Sequence, residues 1–216
     1  MLTSRFTFDT DLSEYTDLYY VGDVTHLGVV YRQHLAFGTN DHTIVGSAAQ
    51  DSIYGSDGQD VIVGNGGNDI LRGNKGDDLI FGDHFYFQLG NDYLDGGAGN
   101  DTLQGGIGDD VLLGWFGDDV LYGGTGNDTF ATCYRDGTDT IKDFSFGDKL
   151  VMTDVTTSHD GVFGIGSYNK PAPIYDWFTV VGTKITTDYG TVIIEGIKPE
   201  QLKGGIGASG WWEWHL

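Results

Sequence analysis

Very little in this chain of 216 residues can lock a fold covalently. It has one cysteine, Cys133, so no internal disulfide can form, and that residue reads as a small apolar core position. Prolines number 3 and methionines 2. Cations are scarce: 11 Lys and Arg face 32 Asp and Glu, a formal net charge of −21. That imbalance argues against nucleic acid or an anionic membrane surface as a partner. No apolar run approaches the ~18–20 residues of a membrane-spanning helix. Met1 to Tyr20 lacks the basic start and apolar stretch of a cleavable signal peptide. The chain has no H-E-x-x-H, no G-x-S-x-G and no P-loop. Its histidines (His26, His34, His42, His84, His159, His215) show no metal-ligand spacing. It is therefore expected not to be an enzyme.

What is abundant is glycine, at 36 residues. Such a composition could signal disorder, but 39% hydrophobic and 13% aromatic residues are too many for that. From Gly46 the chain falls into units of nine: GSAAQDSIY, GSDGQDVIV, GNGGNDILR and GNKGDDLIF. A longer unit follows, GDHFYFQLGNDYLD, then GGAGNDTLQ, GGIGDDVLL, GWFGDDVLY and GGTGNDTFA. Degenerate units precede (Gly38 to Val45) and follow (through Ile141). Position six is always aspartate: Asp51, Asp60, Asp69, Asp78, Asp92, Asp101, Asp110, Asp119 and Asp128. Position eight is always large and apolar: Ile53, Ile62, Leu71, Ile80, Leu94, Leu103, Leu112, Leu121 and Phe130.

Glycines at the head of each unit suit a tight loop, and the last three residues suit a short strand. Position eight then points inward and positions seven and nine outward. A single such turn cannot offset its own ordering entropy, so several must stack.

The units resemble the RTX, or haemolysin-type, calcium-binding nonapeptide G-G-x-G-x-D-x-U-x, over roughly residues 38–145. The resemblance implies an all-β fold: a parallel β-roll of about ten turns with antiparallel β caps. It divides the chain into an N-terminal β cap (1–37), a calcium-binding roll (38–145) and a C-terminal β cap (146–216). It further implies that loops of alternate units stack on two edges and share ions. One edge would carry Asp51, Asp69, Asp92, Asp110 and Asp128, and the other Asp60, Asp78, Asp101, Asp119 and Asp139. Carbonyls of Gly55, Gly64, Gly66, Gly73, Gly96, Gly97, Gly99, Gly105, Gly106, Gly108, Gly114, Gly123, Gly124 and Gly126 would complete the ligand sets. About five to eight Ca²⁺ ions are expected, since calcium takes six to eight hard oxygens. Without them the stacked aspartates repel, so the roll is expected to fold only on calcium binding.

Some residues depart from the pattern. His42 stands where aspartate is usual, so the gap to Asp60 should be empty. Ser47, Ala48 and Ala49 replace glycines and weaken the Asp51–Asp69 pair. Extra residues around Phe85, Tyr86 and Phe87 are expected to distort the sites that use Asp92. Trp115 and Phe116 replace smaller residues.

The segment Thr140 to Leu150 resembles the end of RTX rolls in serralysin-type proteases and alginate epimerase modules, and Thr191 to Ile197 a later strand there. Residues 146–203 therefore read as antiparallel strands, with 1–37 as strands at the other end. One sheet would present Val61, Val63, Leu79, Phe81, Val120 and Tyr122 outward. That face is either covered by a terminal segment or used for self-association. The tail Gly210 to Leu216, with Glu213-Trp-His-Leu216, reads either as the uncleaved signal of a type I exporter or as packing on the cap.

Three roles follow. The first is a secreted, extracellular or cell-surface module with a structural role. The second is an adhesin or polysaccharide-binding module that stacks sugars on exposed aromatics. The third is an accessory part of an extracellular enzyme.

Overall fold

A computed structural model of the chain describes residues 19–26, 29–83, 89–132, 137–152, 179–181, 184–186, 191–198, 201, 203–206 and 212–216. Cys133, Phe85, Tyr86 and Phe87 lie outside the described residues, as do 1–18 and 153–178.

Strands and loops alternate as the nonapeptide dictates. They are β1 (Tyr19–His26), β2 (Val29–Leu35), β3 (Thr43–Val45), β4 (Asp51–Tyr54), β5 (Val61–Val63), β6 (Ile70–Lys75), β7 (Leu79–Phe81), β8 (Tyr93–Ala98), β9 (Thr102–Ile107) and β10 (Val111–Phe116). Then come β11 (Val120–Thr125), β12 (Thr129–Thr132), β13 (Thr138–Ile141), β14 (Lys149–Met152), β15 (Thr179–Val181), β16 (Lys184–Thr186), β17 (Thr191–Ile194), β18 (Lys203–Ile206) and β19 (Trp212–His215).

Even-numbered strands β2 to β14 build one sheet and odd-numbered strands β3 to β13 the other, all in parallel register. The chain is thus a parallel β-roll. It completes about six coils, not ten, because one nonapeptide supplies only one strand and one loop, and two are needed to return to the same sheet.

Position eight forms one buried column. Ile44, Ile53, Ile62, Leu71, Ile80, Leu94, Leu103, Leu112, Phe130 and Ile141 are fully buried between the sheets, with Leu121 and Leu150 nearly so. Burying a Leu or Ile side chain contributes about 1.5–3 kcal/mol, so the column is the fold's main apolar support.

The flanks extend the sheets rather than closing them off. β1 pairs antiparallel with β2, and β2 continues the roll by pairing parallel with β4. At the other end β14 pairs parallel with β12, and β17 parallel with β13, where antiparallel strands were expected. The cause is the same alternation: Leu150 and Ile194 occupy the inward column position. Antiparallel strands then follow, β15 and β16 beside β17, and β19 and β18 beside β14. The tail strand Trp212–His215 is therefore an integral strand of the first sheet.

The outward apolar face of the second sheet is mostly half-buried. Val63 is buried, and only Val45 (56% exposed) and Tyr122 (36%) are well exposed. On the first sheet, Arg72 donates to the Tyr54 hydroxyl at 2.6 Å, lies 5.0 Å from that ring's centre, and pairs with Asp95 at 3.5 Å. Trp115 and Leu113 are buried on the same sheet's flank.

Candidate metal centre

The loops stack into two rows. On one edge stand Asp51, Asp69, Asp92, Asp110 and Asp128, continued by Asp148. On the other stand Asp60, Asp78, Asp101, Asp119 and Asp139, headed by His42. Each row is held by one repeated bond, in which the backbone N–H of position six donates to Oδ1 of the aspartate in the next loop of its row. Asp51 donates to Asp69 and Asp60 to Asp78, both at 2.7 Å. Asp69 donates to Asp92, Asp78 to Asp101, Asp92 to Asp110 and Asp101 to Asp119, at 2.8–2.9 Å. The rows end with Asp110 to Asp128, Asp119 to Asp139 and Asp128 to Asp148. The residues inserted before Asp92 do not break its row: β6 and β8 keep their register on either side.

All these aspartates are at most 3% exposed. Their second oxygens decide the chemistry. Oδ2 of Asp69, Asp78, Asp92, Asp101, Asp110 and Asp128 is buried without a hydrogen-bond partner. A buried carboxylate oxygen without a donor is costly unless a cation meets it. Each lies against the position-one glycine of its own loop, and four of them have a backbone carbonyl from the next loop beside that spot. A Cβ on Gly64 would collide with Asp69 Oδ2 and the Gly82 carbonyl; one on Gly73, with Asp78 Oδ2 and the Gly96 carbonyl. Gly82 faces Asp92 Oδ2 and the Gly105 carbonyl, and Gly105 faces Asp110 Oδ2 and the Gly123 carbonyl. Gly96, Gly114 and Gly123 face the Oδ2 of Asp101, Asp119 and Asp128.

These are hard oxygen donors of the kind calcium selects. Among the described residues no three His, Cys, Asp or Glu side chains converge as a metal cluster, so carbonyls must supply much of any coordination. The residues present fit calcium in that sense: unsatisfied carboxylate oxygens beside loop carbonyls, in a space only glycine leaves open.

Burial is also the leading cause of raised pKa values. It pushes Asp69, Asp92 and Asp101 up to about 8, Asp78 and Asp110 to about 7, and Asp128 to about 6, with neighbouring aspartates adding to the shift.

The remaining glycines shape the loops. Gly97, Gly106 and Gly124 at position two, and Gly99, Gly108 and Gly126 at position four, have positive φ and pack against the preceding loop of their row. Gly66 donates its N–H to the Ser47 carbonyl at 3.3 Å. At Gly55 a Cβ would meet Asp60 Oδ2 and the Gly73 carbonyl. Trp115 adopts φ 70°, a conformation costly for a large L side chain.

The first loops differ. Ser47 donates its N–H and hydroxyl to Asp51 Oδ2 at 2.6 and 2.8 Å. Ser56 donates its N–H to Asp60 Oδ2 at 2.5 Å. His34 and His42 lie 3.3 and 3.2 Å from Asp51 and Asp60.

One row of residues escaped sequence reasoning. Position-five side chains form a second ladder of opposite polarity. Asn68 Oδ1 accepts from Asn91 N–H, Asn91 from Asp109, Asp109 from Asn127, Asp77 from Asn100, Asn100 from Asp118, and Asp118 from Thr138. The signal was present, since Asn, Asp or Gln precedes every position-six aspartate. Gly82 and Asp148 were missed because the insertion and a lost glycine hide their register.

The family comparison agrees with the repeat register. The model of the RTX calcium-binding nonapeptide repeat matches in four copies, at residues 37–71, 54–84, 88–121 and 95–130. The chain carries RTX repeats. Its RTX roll is therefore a calcium-binding β-roll. No curated protein matches the sequence. Among solved structures, the extracellular lipase LipA from Serratia marcescens is similar at 18% identity, over 78% of this chain and 41% of that one, with a TM-score of 0.32. The chain spans less than half of that protein's length.

Proposed function

We propose that the chain is a secreted RTX module that folds outside the cell when calcium enters its two aspartate rows, and that its role is structural, at or near the cell surface. The observation that carries the reading is the set of buried, partnerless Oδ2 atoms from Asp69 to Asp128. A formal charge of −21 adds to it. About six ions would satisfy those oxygens, at the ~10⁻⁴–10⁻³ M affinity of extracellular calcium modules. In a calcium-poor cytosol the repelling rows would keep the chain unfolded and fit for a type I exporter. No catalytic role is proposed, since the chain offers no catalytic motif. A sugar-stacking role has less support, because Trp115 is buried, although Phe116 is 46% exposed.

The test is a calcium titration of chelator-treated protein, followed by far-UV circular dichroism and hydrodynamic radius. A cooperative gain of β signal with a falling radius is expected. A β-rich, compact protein in chelator would overturn the reading.

A further inference from the structure

Asp83 stands at position two of the Asp92 loop, where other loops of that row carry Asn65, Gly106 or Gly124. It is 6% exposed. Its N–H donates to the Gly105 carbonyl at 2.9 Å, and its Oδ2 accepts the Ile107 N–H at 3.2 Å. Both partners belong to the Asp110 loop, so the carboxyl reaches across the gap between two successive loops of the row. Its other oxygen, Oδ1, is buried and makes no hydrogen bond of good geometry, although the Gly90 N–H stands near the carboxyl and, with the Ile107 N–H, opposes the effect of burial.

The same gap holds Asp92 Oδ2, partnerless, beside the Gly105 carbonyl. Two buried carboxylates, each with one oxygen lacking a well-formed hydrogen bond, thus border one gap. Among the described residues no Lys or Arg pairs with either. Burial raises Asp83 to about 6, and its charge helps to raise Asp92. Other central loops place Asn74, Gly97, Trp115, Gly106 or Gly124 at this position. Asp143, at position one of the Asp148 loop, has both oxygens occupied, by the N–H groups of Gly123 and Gly124 of the preceding loop at 2.9 Å.

We propose that Asp83 is an additional calcium ligand, supplied by the irregular fifth loop, which gives the gap between the Asp92 and Asp110 loops a second carboxylate and makes it the tightest site of its row. The inference rests on the calcium reading of the rows.

The experiment is equilibrium dialysis with radioactive calcium against a graded chelator, on the full chain refolded in calcium. Wild type is compared with Asp83→Asn and Asp83→Ser, which keep an acceptor for the Ile107 N–H without the charge, and with Asp143→Asn. Wild type should hold one ion more tightly than the rest. Both Asp83 variants should weaken that step about tenfold, since ligand charge tunes calcium affinity, and leave the later steps and the saturated circular dichroism unchanged. Asp143→Asn should keep the tight step. Asp83 variants whose isotherms superimpose on wild type, or weaken every step equally, would overturn the assignment. Absence of calcium binding in wild type would instead defeat the reading of the rows themselves.

Discussion

The first loops of the roll and its central loops occupy the same slot in the fold and solve the same problem differently. In the Asp51 and Asp60 loops, Ser47 and Ser56 turn donors onto Oδ2, and a histidine adjoins each carboxylate. From Asp69 to Asp128 the equivalent oxygen lacks any hydrogen-bond donor, save where Asp119 is concerned. The last loop reverts, with the Ser145 N–H on Asp148 Oδ2 at 2.7 Å. The Asp51 row is thus closed by protein donors at both ends and the Asp60 row at its start, while the central Oδ2 atoms are left without them. The lesson is that a buried aspartate row does not by itself call for a cation: protein donors can satisfy Oδ2, and it is the central loops that leave that oxygen open.

The largest expected effect concerns the central carboxylates without calcium. Their pKa values of about 6–8 exceed the unfolded value near 3.9. A raised pKa means the folded state binds protons more tightly, so these groups favour folding most below about pH 4. That contribution is lost as pH rises through about 6–8. Chelated protein should therefore regain β signal on acidification from pH 8 to about pH 5, read by circular dichroism. With calcium the sign reverses, since protons compete with the ion, and affinity should rise with pH.

Next in size is the apolar column, which both regions share. Leu103→Ala in saturating calcium should cost about 2–5 kcal/mol in denaturant unfolding, and Ile53→Ala beside the first loops a similar amount. Equal costs would confirm that the two regions differ only in their carboxylates.

A smaller change sharpens the contrast directly. Ser56 lacks the positive φ of Asn65, Asn74 and Gly97 at position two, and its N–H is spent on Asp60. Ser56→Gly permits the left-handed conformation. It should add one bound calcium while removing, in calcium-free protein, the Ser56 hydroxyl's hydrogen bond to the Asn40 carbonyl, worth about 1 kcal/mol. The smallest effect is Asn91→Ala, which removes one rung of the exposed position-five ladder. As an exposed bond it should cost about 0.5 kcal/mol, the low end for a hydrogen bond, and leave the calcium count unchanged.

The nonapeptide made the register, the two edges and the buried column legible in advance, because position six and position eight each carry a single kind of chemistry. What lay outside that signal was less visible. β14 and β17 continue the sheets through Leu150 and Ile194, whose loops lack the glycine pattern that marks a coil. The role of Ser47 and Ser56 depends on where an N–H points, which backbone conformation decides. Asp83 stands just before an insertion that breaks the count of nine. The burial of Trp115 could not be told from a loop exposure, since position two carries no fixed polarity.

Hydrogen exchange at the amides of Asp69, Asp92 and Asp101, in chelator and in calcium, tests the central claim most directly. Each N–H is bonded to the next aspartate of its row. The account predicts rapid exchange in chelator at neutral pH and strong protection once calcium is added. Equal protection in both conditions would show that the rows stand without the ion, and would contradict it.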